Sequence, residues 1–132
     1  YREMADSVLG DKVCVPGFVV ESVLKVLMAE SYANVTPSLS EPFGLVPLEA
    51  AASGTATVGS RVGGIKETVV HGYTGLHSEP GNPESIKHEL DRMLSDPGWT
   101  DWISRKAEER VEEAYNWSSV SSRTAEIYRS VA

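Results

Sequence analysis

At 132 residues, 41% of them hydrophobic and 23% charged, the chain has the size and balance of one globular domain with a core of its own, outside the disordered regime. A net charge of −7 without any run of Lys or Arg argues against a nucleic-acid surface. No apolar stretch approaches the ~20 residues that cross a bilayer, and the opening residues are not expected to act as a secretory signal.

Strand and helix patterns alternate along the chain. Val13, Cys14 and Val15, bounded by Pro16 and Gly17, form a short apolar run that reads as a strand with Cys14 buried in it. Residues 21–32 carry Val23, Leu24, Leu27 and Met28 on one face and read as an amphipathic helix. A strand over 34–36 is ended by Pro37, which removes a ladder donor. A helix over 44–53 is closed by Gly54. A strand over 55–59, a short helix over 64–70 and a strand over 75–78 follow.

Past Pro80, Gly81, Asn82 and Pro83 the character changes. Residues 83–94 place Ile86, Leu90, Met93 and Leu94 on one face, and 99–115 turn Trp102, Ile103, Ala107 and Val111 inward. Asn116 or Ser118 then caps a last helix through Tyr128. This order predicts a single α/β domain. A parallel sheet of about four strands spans 12–80 and C-terminal helices span 82–132. We find no internal repeat, low-complexity tract or interior linker.

The most informative residues are Glu41 and Glu49, with seven residues between them, around the turn Pro42-Phe43-Gly44. The first N–H groups of a helix have no intrahelical partner and carry about half a positive charge. Gly44 lets a phosphate approach the amides near Gly44 and Leu45 without a Cβ in the way. Glu49 lies roughly 7–8 Å further along the axis, at about 1.5 Å per residue. Two acceptors at two heights beside one anion site suit a nucleotide sugar, Glu41 by the sugar and Glu49 by the ribose. The plainer reading is an exposed cap residue and an ordinary amphipathic helix.

The surrounding text narrows the choice. Val35-Thr36-Pro37-Ser38, Ser40-Glu41-Pro42-Phe43-Gly44, Leu48-Glu49-Ala50-Ala51-Ala52-Ser53-Gly54-Thr55, Val62-Gly63-Gly64-Ile65-Lys66-Glu67, Gly72-Tyr73-Thr74-Gly75-Leu76 and Tyr115-Asn116-Trp117-Ser118 occur in one order. In this the chain resembles the nucleotide-sugar-binding C-terminal domain of retaining GT-B glycosyltransferases, the group that includes glycogen and sucrose synthases. The resemblance runs from about Lys12 to the C-terminus. Ala51, where such helices commonly carry methionine, and Ala56, where the next strand usually starts with proline, depart from the pattern in packing rather than donor chemistry.

The resemblance implies a partial Rossmann-like domain. Its first two strands, with a Gly-Arg pair and a lysine that clamp the donor diphosphate, would precede this stretch, as would an acceptor-binding N-terminal domain. A chain opening on Tyr1 is accordingly expected to be a piece of a longer polypeptide. The absent strands would lie between the 13–15 and 34–36 strands, so the isolated piece is expected to dimerise or swap strands. The implied enzyme transfers a hexose from a UDP-, ADP- or GDP-sugar to an acceptor. It needs no metal and no further cofactor, and the isolated piece is expected to be inactive.

By the same resemblance Glu41 is the catalytic residue, orienting the donor sugar, and Glu49 binds ribose. Pro42, Phe43, Gly44 and Leu45 form the turn that receives the nucleotide sugar. Gly17 and Phe18 lie against the nucleobase, Phe18 otherwise covering the sheet end. Ser38 either hydrogen-bonds the base or ribose or shapes its turn. Gly63 and Gly64 serve either a close approach near the ligand or a tight turn, and Arg61 and Lys66 read as solvated loop charges. His71, His77 and His88 lack metal-ligand spacing and read as surface residues. Trp99, Trp102 and Trp117 read as anchors of the helical tail, with Trp117 and Tyr128 partly exposed.

A single cysteine excludes an intrachain disulfide and suits a reducing, cytoplasmic setting. The sequons at Asn34 and Asn116 read as coincidental. Three rivals remain: a sugar phosphorylase of the same architecture, a non-catalytic nucleotide-binding module, and a purely structural or interaction fragment.

Overall fold

The computed structural model describes residues 12–131. Helix α1 spans Glu21–Ala29, followed by β1 (Asn34–Thr36), α2 (Leu45–Ala52), β2 (Thr57–Ser60), α3 (Ile65–Thr68) and β3 (Gly75–Ser78). The C-terminal helices are α4 (Pro83–Ser95), α5 (Pro97–Ala114) and α6 (Trp117–Val131). Helix and strand centres lie where the periodicity places them, and the ends differ by a few residues.

The strands form one parallel sheet in the order β1-β2-β3, with Asn34 opposite Thr57 and Thr57 opposite Gly75. Each crossover is a helix, as parallel pairing requires. Strand β2 is central and buried along its whole length. Its small side chains let helices pack closely on both faces. Ala56, Val58, Leu76, Met93 and Ile103 form one cluster between the sheet and the tail helices.

The helical tail is tied down by hydrogen bonds to backbone that packing alone would leave unpaired. Tyr32 Oη and Thr100 Oγ1 each donate to the Met93 carbonyl at 2.8 Å. The Ala56 amide donates to Ser104 Oγ at 3.1 Å; outside the tail, Thr55 Oγ1 ties α1 to the segment before β2 by donating to the Met28 carbonyl at 2.6 Å. Helices α4 and α5 start as sequence rules require: Asn82 and Asp96 accept from the amides of Ser85 and Trp99, with proline in the first turn. Trp99 lies beneath the Arg92 guanidinium and Trp102 meets Tyr73 edge to face. Trp117 and Tyr128 are 88% and 71% exposed, so Trp117 anchors little within this chain.

Two expectations fail. The predicted strand at Val13–Val15 does not form: residues 13–16 have no regular secondary structure, and the described residues make three strands rather than about four. Cys14 is exposed rather than buried. The run does not add to the outer edge of β1, which pairs with β2 on its other side.

Helix α1 forms as expected, with an uncovered face. It has the expected apolar face, yet none of its residues is buried, and Val23, Leu24 and Leu27 stay at least 37% exposed. No sheet lies beneath that face among the described residues.

Candidate functional site

Parallel strands put their C-terminal ends on one rim, where ligands of open α/β sheets collect. Three loops meet there: 37–44 after β1, 61–64 after β2 and 79–82 after β3. Backbone bonds stitch them together. The Gly64 amide donates to the Glu41 carbonyl at 2.8 Å, and the Arg61 amide to the Ser78 carbonyl at 2.9 Å.

Gly63 and Gly64 exist for this contact. A Cβ on Gly63 would lie 2.0 Å from the Glu41 carbonyl oxygen, and one on Gly64 would lie 2.4 Å from the Phe43 carbonyl. The two open readings of this pair resolve into a third: the glycines let the chain approach itself. Gly44 is pinned from the other side. It has φ +76°, a conformation suited to glycine, and a Cβ there would meet Thr68 Oγ1 at 2.6 Å.

This packing fixes the start of α2. The Glu41 side chain turns back, and its Oε1 accepts from the Gly44 amide at 3.1 Å and the Phe43 amide at 3.3 Å. A carboxylate therefore already occupies the Gly44 amide, one of those expected to receive a diphosphate, together with its neighbour on Phe43. The next two, of Leu45 and Val46, have no acceptor among the described residues. Pro47 has no N–H, so the helix presents those two. Pro42, Phe43 and Leu45 are exposed around the turn, while Gly44 is buried beneath it.

Glu49 is exposed on α2 and lines a cleft of about 470 Å³ between α1 and α2. Leu24 and Met28 give the cleft an apolar wall, and Glu21 and Lys25 sit at its rim, joined at 2.6 Å. Glu41 is not among the residues lining that cleft. The two acids thus occupy the start and the flank of one helix. Gly17 is open at φ +74° and Phe18 is 95% exposed. Phe18 therefore does not cover the sheet end. Ser38 is half-buried beside the rim.

Sequence reasoning missed the inner part of the rim. His77, expected on the surface, is half-buried and stacks on His71 with ring centroids 5.8 Å apart. Burial holds its imidazole below the ordinary value. His71 and Arg61 push the same way, against the carbonyls of Ile65 and Val69. Arg61, His71, His77 and Ser78 line a polar cavity of about 300 Å³ together with Glu79, Ser85 and Glu89. The one signal available was position: Ser78 ends β3 and Arg61 directly follows the end of the adjacent parallel strand β2. Among the described residues no group of three or more His, Cys, Asp or Glu side chains is placed to hold a metal ion. No helix there is long and apolar enough to cross a membrane.

The sequence profile of the family described as glycosyl transferases group 1 matches residues 2–117. An uncharacterized glycosyltransferase of Methanocaldococcus jannaschii, MJ1607, is 42% identical over 118 residues, covering 89% of this chain and 30% of its own length. Sucrose-phosphate synthase from Thermosynechococcus elongatus superposes with a TM-score of 0.88 at 33% identity, over 98% of this chain and 33% of that one. The Anabaena protein Alr3699/HepE, solved in complex with UDP-glucose, superposes with a TM-score of 0.84 at 26% identity, over 98% of this chain and 36% of that one. The chain thus spans about a third of the length of the proteins it matches.

Proposed function

The chain belongs to the glycosyl transferases group 1 family and has the fold of GT-B C-terminal domains, and from that premise we propose that it is the donor-binding part of a glycosyltransferase that moves a hexose from a nucleotide sugar to an acceptor with retention. The observation that carries this reading is the α2 N-terminus. Its Leu45 and Val46 amides, without an acceptor among the described residues, stand on the C-terminal rim of the sheet, between one acid in the preceding turn and a second on the helix flank. The Anabaena protein of like fold, crystallised with UDP-glucose, supports the donor class.

In the proposed reaction the bond between the sugar's anomeric carbon and the diphosphate oxygen breaks. A new bond forms to the acceptor oxygen, whose proton leaves with the diphosphate. The Leu45 and Val46 amides stabilise the charge that grows on the departing diphosphate, as fixed donors do generally. Glu41 holds sugar hydroxyls and orients the donor, and Glu49 accepts from the ribose. Pro42, Phe43 and Gly44 shape the turn, with Ser38, Gly17 and Phe18 on the nucleobase side. Acceptor binding and the basic clamp on the diphosphate fall to the remainder of the protein, so this chain alone binds the donor without transferring from it.

Calorimetric titration with UDP, GDP and ADP tests the reading. One nucleotide binds selectively, and Glu49→Ala weakens it by about 1–3 kcal/mol, the scale of a lost hydrogen bond to a charged group. Unchanged affinity in the variant removes Glu49 from the site.

A further inference from the structure

The cavity of about 300 Å³ at the ends of β2 and β3 lies at the lower end of the range for small-molecule pockets. Its hydrogen-bonding groups are unevenly matched. The Arg61 side chain has no hydrogen bond or ion pair with any described residue, leaving a full guanidinium fork open. His71 Nδ1 accepts from the His77 amide at 2.9 Å, which leaves the proton of a neutral ring on Nε2. Ser78 is 2% exposed, and its hydroxyl is buried without a partner among the described residues. Ser85 Oγ already accepts from the Glu79 amide at 2.9 Å, so its own proton is free to donate.

The acceptors are fewer. The Glu89 carboxylate is held by Arg92 at 2.6 Å, and Glu79 is exposed enough to turn to water. The surplus is of donors, and it comes from four separate segments: the loop after β2, the turn before β3, β3 itself and the first turn of α4. A buried hydroxyl without a partner costs free energy, and an acceptor-rich ligand would recover it. Three terminal oxygens answer four converging donors better than the two of a carboxylate, and Arg is suited to bidentate phosphate binding.

We propose that this cavity is a binding site for a phosphate monoester, held by Arg61, His71, Ser78 and Ser85. It is separate from the α2 turn and does not depend on the transferase reading. The Arg61 guanidinium pairs with two phosphate oxygens, and Ser78 and Ser85 donate from the β3 and α4 sides. The His71 imidazole closes the solvent side.

The test is a heteronuclear NMR titration of the isotope-labelled full chain with inorganic phosphate, at constant ionic strength and near neutral pH. Saturable shifts are expected at the amides of Arg61, His77, Ser78 and Glu79, with acetate at the same concentration giving weaker binding. Arg61→Gln should raise the dissociation constant about tenfold, the scale of a lost charge-assisted pair. Ser78→Ala should raise it several-fold while leaving the unfolding temperature unchanged or higher, because it removes a buried hydroxyl without a partner. That opposition separates a ligand-binding role from a merely structural one. The proposal is overturned if phosphate moves only the amides of residues 43–46, if the shifts do not saturate, or if Arg61→Gln binds as the parent does.

Discussion

Gly64→Ala is the sharpest test of how the rim is built, because two physical effects predict opposite signs. Gly64 has φ −65° and ψ −22°, a right-handed conformation open to any residue. An alanine there would carry no backbone strain, and by restricting the unfolded chain it would stabilise the fold by about 0.4–1 kcal/mol. Against that, its Cβ would lie 2.4 Å from the carbonyl carbon and oxygen of Phe43 and 2.7 Å from its Cα. These are backbone atoms, and no rotamer moves them away. The 41–44 loop must retreat by about 1 Å, and overpacking of that kind costs about 1–3 kcal/mol. Retreat also weakens the Gly64–Glu41 hydrogen bond of 2.8 Å, adding about 0.5–1.5 kcal/mol. The net expectation is a loss of about 0.5–4 kcal/mol, read as a lower urea midpoint at unchanged slope. Gly54→Ala is the control: at φ +80° with nothing near its Cβ, it reports only the left-handed cost of about 1–2 kcal/mol. A Gly64→Ala midpoint equal to or above the parent's would refute the loop contact.

Two further outcomes follow from the described geometry. His77 is held below its ordinary value chiefly by burial, so the unfolded chain binds more protons below about pH 6.5. Stability present above that pH is therefore lost as pH falls through the lower folded value, and His77→Leu should flatten the fall of the urea midpoint between about pH 7 and 5; equal slopes in both proteins would count against a buried imidazole. Asp96 accepts from the Trp99 amide at 2.9 Å, and Asp96→Ala should lower stability by about 1 kcal/mol in the same assay, whereas a change of only a few tenths would mean that the cap is dispensable.

The legible parts of the fold are those set by local rules. Strand β3 is found at its predicted residues because Gly75 and the following alternation mark it. Helix α4 starts at the expected Pro83, after Asn82, whereas α5 starts at Pro97, two residues before the expected Trp99, because the Asp96 cap went unread. The run of Val13, Cys14 and Val15 misleads for the converse reason. Apolar composition marks a segment that suits a sheet, and the ladder that makes it a strand lies in its neighbours. Helix α1 shows the same limit. Its amphipathic period is real, but an apolar stripe does not say whether anything lies beneath it.

The positions of the two acids about α2 were legible in the sequence, and the contacts of Glu41 were not. Spacing places Glu41 before a helix and Glu49 within it; it does not reveal that Glu41 folds back onto the amides of Phe43 and Gly44. A hydrogen bond from an amide to a carboxylate contributes about 1.5–3 kcal/mol at most, and any anion taking those amides must first displace it. On the function proposed above, the diphosphate gains more by seating one step along, on the Leu45 and Val46 amides that have no acceptor among the described residues. Pro47, without an N–H, bounds that step on its far side. Glu41 then stays beside the sugar end instead of beneath the phosphates, where its negative charge would oppose binding. On that proposal the carboxylate keeps its bonds to the Phe43 and Gly44 amides through Oε1 and offers its second oxygen to a sugar hydroxyl, so an acid at this position does not obstruct an anion site.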